Sequence, residues 1–343
     1  MRRMSRLWLL LPMIGIVMFL LYPAPAASGA GSGLHLAAEV LIPSLFPVGV
    51  LSGCLVRMGP EPVAERLAGP VVRSLFGLPG AAAVPLILGL LGGFPLGSQL
   101  VCTMYREGKL TRSDAERLSV LCNNAGPGFL IGVAGSVLGD VRLGIALLVV
   151  QVLSVLLVGF LLRKPIVTRY SAFSRQNEPT SFADALLKSI KDTSGSMLTL
   201  TGTLCFFHAA LACLTAVLPF DRLPSLLQTT VTGVLELSGG IAGLRGTDAE
   251  QAFPIAALLI GWGGVCVYLQ AASAFCGVGL SIRNYLFGKL IQSLICFLLA
   301  ILFSSAFHAC FSIPAILSAI LLLTLTFFSF FKKRHWKTSS SVI

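Results

Sequence analysis

Acidic side chains are scarce in this chain, with 14 Asp and Glu among 343 residues, and charge of either sign makes up only 11%. A water-soluble domain clothes its surface with roughly 25% charged residues. The shortfall excludes a soluble globular fold and implies that most of the surface faces lipid. Strict apolar–polar alternation is missing too, which excludes the barrel strands of an outer membrane. No Cys-x-x-Cys pair occurs among the nine cysteines, which read as small buried hydrophobes and not as a disulfide or metal framework. His-Glu-x-x-His, Gly-x-Ser-x-Gly and paired aspartates are absent, so an intramembrane hydrolase would have nothing to work with. The chain is therefore read as not an enzyme and as having no metal site.

What is present is a series of Leu-, Gly- and Ala-rich runs near 20 residues long, the length at which a helix crosses a hydrocarbon core of about 30 Å. The net charge of +11 is not a nucleic-acid footprint, because the basic residues collect at segment ends. Arg2, Arg3 and Arg6 precede the first run. Arg106, Lys109, Arg112 and Arg117 form one loop, Arg163, Lys164, Arg169 and Arg175 another, and Lys332, Lys333 and Arg334 a tail. Held on the cytoplasmic side, these place both termini inside. The fold expected is an all-α polytopic membrane protein of about eight transmembrane helices plus broken or re-entrant helical hairpins, in two related halves. Residues 1–29 form a signal-anchor or signal-like segment. Ala24-Pro25-Ala26 has the small-x-small form of a cleavage site, yet a retained anchor is favoured because the remaining spans already target the membrane. Residues 30–162 form the first membrane half, 163–192 a cytoplasmic linker, 193–331 the second half and 332–343 the basic cytoplasmic tail.

Several apolar segments carry residues that a continuous helix disfavours. Pro43 and Pro47 should kink the run 34–58. Gly89-Leu-Leu-Gly-Gly-Phe-Pro-Leu-Gly97 puts four glycines and a proline into nine residues, where each interior glycine costs about 1 kcal/mol of helix and proline about 3. Broken backbone survives at membrane depth only where it is buried in protein or lines a cavity, so 81–105 reads as a helix–break–helix hairpin. Asn123-Asn124-Ala-Gly126-Pro127-Gly is a second polar break, and Gly261-Trp-Gly-Gly264 a third. Gly92 and Gly93 with Gln99 recur, at one constant offset, as Gly263 and Gly264 with Gln270. Paired interruptions of this kind mark the solute site of transporters built from repeats. The repeat is parallel or inverted according to whether 223–244 crosses the membrane fully.

The candidate substrate-binding residues are accordingly Gly92, Gly93, Gln99, Asn123, Asn124, Gly126, Pro127, Glu236, Gly263, Gly264 and Gln270. Glu236 stands out, since a carboxylate at the bilayer centre costs roughly 2.5–3.5 kcal/mol on insertion scales and usually faces a cavity or partner; the bland alternative is an interfacial pair with Arg245. For Asn123, Asn124, Gln99 and Gln270 the alternative is interhelical hydrogen bonding. His208 and His308 suit core hydrogen bonds better than a proton relay, and Trp262 suits packing. The partners expected are a small-molecule solute and the lipid bilayer, with no nucleic acid and no assigned oligomeric state. Sodium or a proton is the candidate coupling ion, and no other cofactor is expected.

Leu41-Ile-Pro-Ser-Leu-Phe-Pro47, Leu91-Gly-Gly-Phe-Pro-Leu-Gly97, Met104-Tyr-Arg-Glu-Gly-Lys-Leu110 and Cys122-Asn-Asn-Ala-Gly-Pro127 together resemble the YlbJ-type sporulation integral membrane proteins of the nucleoside-recognition (Gate) domain group. Val234-Leu-Glu-Leu-Ser-Gly239 and Gly261 through Gln270 are similar to that family's second-half signatures. The resemblance implies a sporulation-associated transporter of a small polar or anionic solute, dipicolinic acid among the candidates, in the plasma or forespore membrane. It also implies Gly92–Gln99, Asn123–Pro127, Glu236 and Gly263–Gln270 as the solute region. Gln99 stands where the family often has a basic side chain. A nucleoside or nucleobase carrier, and a non-transport structural membrane protein of sporulation, are the alternatives.

Overall fold

The computed structural model describes residues 4–59, 61–164 and 181–307, and among these every regular element is helical. Met1–Ala300 forms one compact unit; Ile301–Ile343 forms a second, of which the described part is the end of the last helix. The span expected at 313–331, the basic tail, His308 and Cys310 lie outside the described residues.

Helix α1 (Met4–Leu21) and helix α2 (Pro23–Leu36) are joined at Tyr22. After α2 the chain makes a π-helical stretch, Ala37–Leu41, and continues as α3 (Ile42–Arg57). The π turn sits just ahead of Pro43, where a backbone donor is missing from the helical ladder. Glycines let this long rod lie directly on helix α11 (Phe182–Val217). A β-carbon on Gly33 would come within 2.7 Å of Leu204 O and one on Gly49 within 2.9 Å of the Thr193 methyl. Such small-residue stripes bring membrane helices close enough for backbone packing.

Two short helices, α4 (Glu61–Leu67) and α5 (Gly69–Phe76), lead through a 98° bend into α6 (Ala83–Gly92). Helix α7 (Leu96–Arg106) then runs back beside α6. The reversal is evident at Cys122, whose carbonyl oxygen abuts both Gly89 and Gly97. The expected hairpin is thus present.

Helix α8 (Arg112–Cys122) follows a capped start: Asp114 N donates to Thr111 Oγ1 at 3.2 Å. After the break at 123–127 the chain goes on as a second π stretch, Gly128–Ala134, and α9 (Gly135–Val137); α10 (Val141–Leu161) returns. Arg117 ties the near ends together, donating to Phe76 O at 3.3 Å, Gly77 O at 3.0 Å and Leu162 O at 3.3 Å. Both ends of the hairpin, the start of α8 and the end of α10 therefore lie on one face, which also holds Arg106.

In the second half, α12 (Ser225–Leu235) and α13 (Leu237–Ala242) fold back on each other. Gly233 and Gly240 touch, and Thr229 Oγ1 donates to Gly243 O at 3.1 Å. The segment 223–244 is thus a re-entrant hairpin and does not cross. Helices α14 (Ala249–Trp262) and α15 (Gly264–Cys276) form one 28-residue span broken at Gly263, and α16 (Ile282–Phe307) follows.

Each half therefore reads hairpin, broken helix, long helix. The structure matches the Gly92–Gly93 interruption to Leu235–Leu237, and Asn123–Pro127 to Gly263–Gly264, which corrects the pairing that the recurring glycines and glutamines imply. Hairpin 1 opens on the face of Arg106. The α15–α16 connection reaches that same face, where Ser281 N meets Glu116, so hairpin 2 enters from the opposite side. The repeat is inverted. Among the described residues, five helices are long and apolar enough to cross a membrane, six if the bent pair counts as one. Leu20, Leu51, Leu198 and Leu294 point outward, as lipid-facing side chains do. The protein is a multi-pass membrane protein.

Glu116 locks the basic face. Its carboxylate accepts from Ser281 N (3.0 Å), Arg112 Nε (3.0 Å) and Asn284 Nδ2 (2.8 Å), joining α8 to the start of α16. Burial pushes its pKa up, but these donors outweigh burial and hold the group below the ordinary carboxylate value. A carboxylate with a depressed pKa stabilises the fold above its unfolded-state value and loses that contribution as pH falls through the folded value. Glu116→Gln should therefore cost about 1–3 kcal/mol at pH 7. The melting-temperature gap from wild type should close as pH drops below about 4, under the unfolded carboxylate value. A gap that is unchanged in acid would contradict this assignment.

Candidate functional site

The four interruptions meet in the middle of the helical unit. The tip of hairpin 1 turns at Gly93, whose φ of +78° no L side chain adopts easily, and then at the cis Phe94–Pro95 bond. A β-carbon on Gly93 would stand 2.8 Å from Gly126 N, so this tip rests on the first broken helix. In the other half Gly264, with φ +90°, brings its backbone against the tip of hairpin 2, and a β-carbon there would lie 3.1 Å from Leu237 N and 3.3 Å from Leu235 O. The Phe94 ring closes the ring of four by packing on Gly263. Each tip thus sits on its own half's break, and the first tip touches both halves.

A cavity of about 330 Å³ opens where they converge, walled by Gly92, Gly93, Gly126, Glu236 and Gln270 among others. Leucines and valines of α3 and α11 complete its mainly apolar lining. Helix α15, whose first turn lines the cavity through Cys266 and Val267, starts without a side-chain cap. The N-terminal end of a helix carries partial positive charge, which favours an anion.

Glu236 is only 2% exposed and forms the turn of hairpin 2. Its Oε1 accepts from Ser238 N at 2.8 Å and its Oε2 from Gly239 N at 2.6 Å, capping α13. His208 Nε2 of α11 lies 3.2 Å from Oε2. The carboxylate therefore faces a histidine and the cavity, and not Arg245 at the interface. Trp262 Nε1 donates to Val234 O at 2.9 Å and steadies the same hairpin.

Asn123 and Asn124 are fully buried and do not line this cavity; Ala125 and Gly126 present the break to it instead. Asn123 Nδ2 donates to Tyr285 Oη at 2.7 Å, and Gln292 Nε2 donates to Asn124 Oδ1 at 2.7 Å. Gln151 of α10 pairs with both backbone groups of Ala125, at 3.1 and 2.9 Å. Such satisfaction is what allows an unwound helix at membrane depth. Pro127 stands at the head of the π stretch, half-buried, and does not line the cavity.

The residue at the centre of this network was not among the sequence candidates. Lys289, buried in α16, donates to Asn123 O (3.0 Å), Asn124 Oδ1 (3.3 Å) and Gln292 Oε1 (2.7 Å). Its Nζ also stands 5.5 Å from the centroid of the Phe94 ring. A lone lysine inside the apolar run 285–307 was the available sign, because an intramembrane ionisable residue is a functional candidate by default.

Gln99 and Gln270 come together, though in a different place. Both line a second cavity, also about 330 Å³, between hairpin 1, α3, α11 and α15 on the Arg106 side. Gln270 lines both cavities and stands between them. Gly263 and Gly264 line neither, and serve instead as the seat for the two hairpin tips.

No family model matches the chain, and no solved structure matches it. Among curated proteins it is similar to the sporulation integral membrane protein YlbJ of Bacillus subtilis (strain 168). The two are 32% identical over 143 residues, which cover 41% of this chain and 35% of that protein. The matched region is thus about a third of the relative's length. Over that stretch the chain is similar to YlbJ, in keeping with the YlbJ-type resemblance of its motifs.

Proposed function

We propose that this protein is a membrane carrier for a small anionic solute, working by alternating access around the two hairpin tips. The observation that carries the reading is the convergence of four helix interruptions, two from each inverted half, on one cavity. Inverted repeats whose broken helices meet near mid-membrane are the architecture of secondary transporters. The uncapped start of α15 beside the cavity supports the preference for negative charge, and the mainly apolar lining suits an aromatic or otherwise apolar body. The relative is named for sporulation, and the solute class proposed for this chain accordingly includes dipicolinate, moved across a plasma or forespore membrane with the basic face cytoplasmic. Glu236, paired with His208 at the second tip, is the proposed coupling-ion site, for a proton or sodium.

Purified protein in liposomes, offered labelled dipicolinate, a dicarboxylate and a nucleoside in parallel, tests this. Saturable uptake of a carboxylate anion above that of protein-free liposomes is expected, at least tenfold over the nucleoside. Preferential nucleoside uptake would move the assignment to a nucleoside carrier. If none of the three is taken up under a proton or sodium gradient, the protein is structural.

A further inference from the structure

The second cavity has chemistry of its own. Arg57, Arg106, Lys191 and Asp192 line it, with the uncharged polar side chains Gln99, Thr103 and Ser273 among the others. Arg57 is engaged by Asp192 and by Ser189 Oγ at 3.2 Å, so that pair contributes no net charge. Neither Arg106 nor Lys191 has a carboxylate partner among the described residues. The lining therefore carries two uncompensated cations over a cleft walled by low-dielectric helices, a shape that focuses the field on a counter-ion.

At the inner end of this cleft stands Gln270, 6% exposed, with a buried Oε1 that has no hydrogen-bond partner. Its orientation follows from its neighbours. The Thr203 hydroxyl sits 3.0 and 2.8 Å from Thr199 O and Leu200 O, to which it donates, and Gln270 Nε2 also reaches Cys266 Sγ at 3.4 Å. Nε2 therefore faces Thr203 Oγ1 at 3.0 Å, and Oε1 is left as a buried acceptor with its hydrogen bond unmade. A group of this kind costs free energy until something donates to it. Gln270 itself lines both cavities.

We propose that the polar cavity is a separate anion-binding vestibule, in which Arg106 and Lys191 gather a small carboxylate that Gln270 then passes to the apolar cavity. The ligand class is a small organic anion that also bears an O–H or N–H donor, or a water shared with one, for Oε1. Anion binding in the vestibule stands on the cations alone; the onward passage rests on the carrier reading above.

The test uses the full chain in nanodiscs, with Cys102 of the cavity wall, Cys205 and the exposed Cys276 changed to serine and Ser273→Cys placing a thiol in the vestibule. The thiol is challenged separately with an anionic (sulfonatoethyl) and a cationic (trimethylammonioethyl) methanethiosulfonate. Each rate is divided by that reagent's rate with N-acetylcysteine. The expected result at low ionic strength is a normalised preference of about tenfold for the anion, at the low end of what such focusing produces. That preference should fall towards one in the Arg106→Gln, Lys191→Gln double variant, and in about 1 M salt, where the Debye length is near 3 Å. Thr103→Cys repeats the measurement from the neighbouring helix α7 should the first variant fold poorly. No preference, a preference for the cation, or a preference that the double variant retains would overturn the vestibule. The carrier reading is judged separately, since liposomes that take up no solute alongside an intact anion preference would sink transport and leave the vestibule standing.

Discussion

Lys289→Met should lower the melting temperature of the purified protein by about 10 °C, the largest stability loss expected from any single side chain in α16. The variant removes a donor from Asn123 O, Asn124 Oδ1 and Gln292 Oε1 together, of which Asn124 Oδ1 keeps the bond from Gln292 Nε2. Each is fully buried, so no water replaces what is removed. Breaking a buried polar network by deleting one partner typically costs about 3–5 kcal/mol, and roughly 2–4 °C accompanies each kcal/mol in a chain of a few hundred residues. The break at 123–127 should loosen first, and with it the seat on which Gly93 rests. Phe94, at the tip of hairpin 1, also loses the Nζ beside its ring. Leu290→Met at the next position, on the lipid-facing side, should change the melting temperature by less than about 2 °C. Thermal scans of the two variants in the same detergent decide the matter: similar melting temperatures would mean that the lysine does not hold the break together.

The same residue shows where sequence reading stops. Hairpin 1 is legible because its glycines and Pro95 are written into the chain, and their helix cost forbids a continuous rod. Hairpin 2 is not. Leu235-Glu236-Leu237 contains neither glycine nor proline, and the chain turns there because a carboxylate caps α13 and Gly233 meets Gly240 across the reversal. Conversely, Gly263 and Gly264 look like a hairpin tip, but they sit in a helix that bends and continues. Glycine licenses a positive φ in either setting, and only tertiary contacts choose between reversal and kink. That ambiguity explains why the recurring Gly-Gly and Gln pattern picked a wrong correspondence between two halves that are in fact related. The asparagines show a similar division. Their position at a break could be read, whereas their turning towards α16 and away from the cavity depended on Lys289, Tyr285 and Gln292, more than 160 residues later in the chain.

Glu236→Ala should reduce solute uptake about a hundredfold while leaving a protein that still inserts in the membrane. The carboxylate satisfies Ser238 N and Gly239 N, and alanine leaves both donors buried at the turn with nothing to accept them. Losing a helix cap costs typically about 1 kcal/mol, and hydrogen bonds to a charged acceptor contribute about 1.5–3 kcal/mol each. A local loss near 3 kcal/mol reduces the population of the closed tip by roughly a hundredfold, and Leu237 and Ser238 of that tip are cavity wall. Glu236→Gln separates scaffold from charge. Its amide oxygen still accepts one of the two backbone bonds, so the melting temperature should fall only half as far, but His208 loses its anionic partner. If Glu236 carries the coupling ion, the glutamine variant should exchange solute down its gradient yet fail to accumulate it against one. Should both variants lose stability and accumulation in parallel, Glu236 is a cap alone, and the coupling ion binds elsewhere. A glutamine variant that concentrates solute as wild type does would remove the carboxylate from the transport mechanism while leaving its place at the hairpin turn.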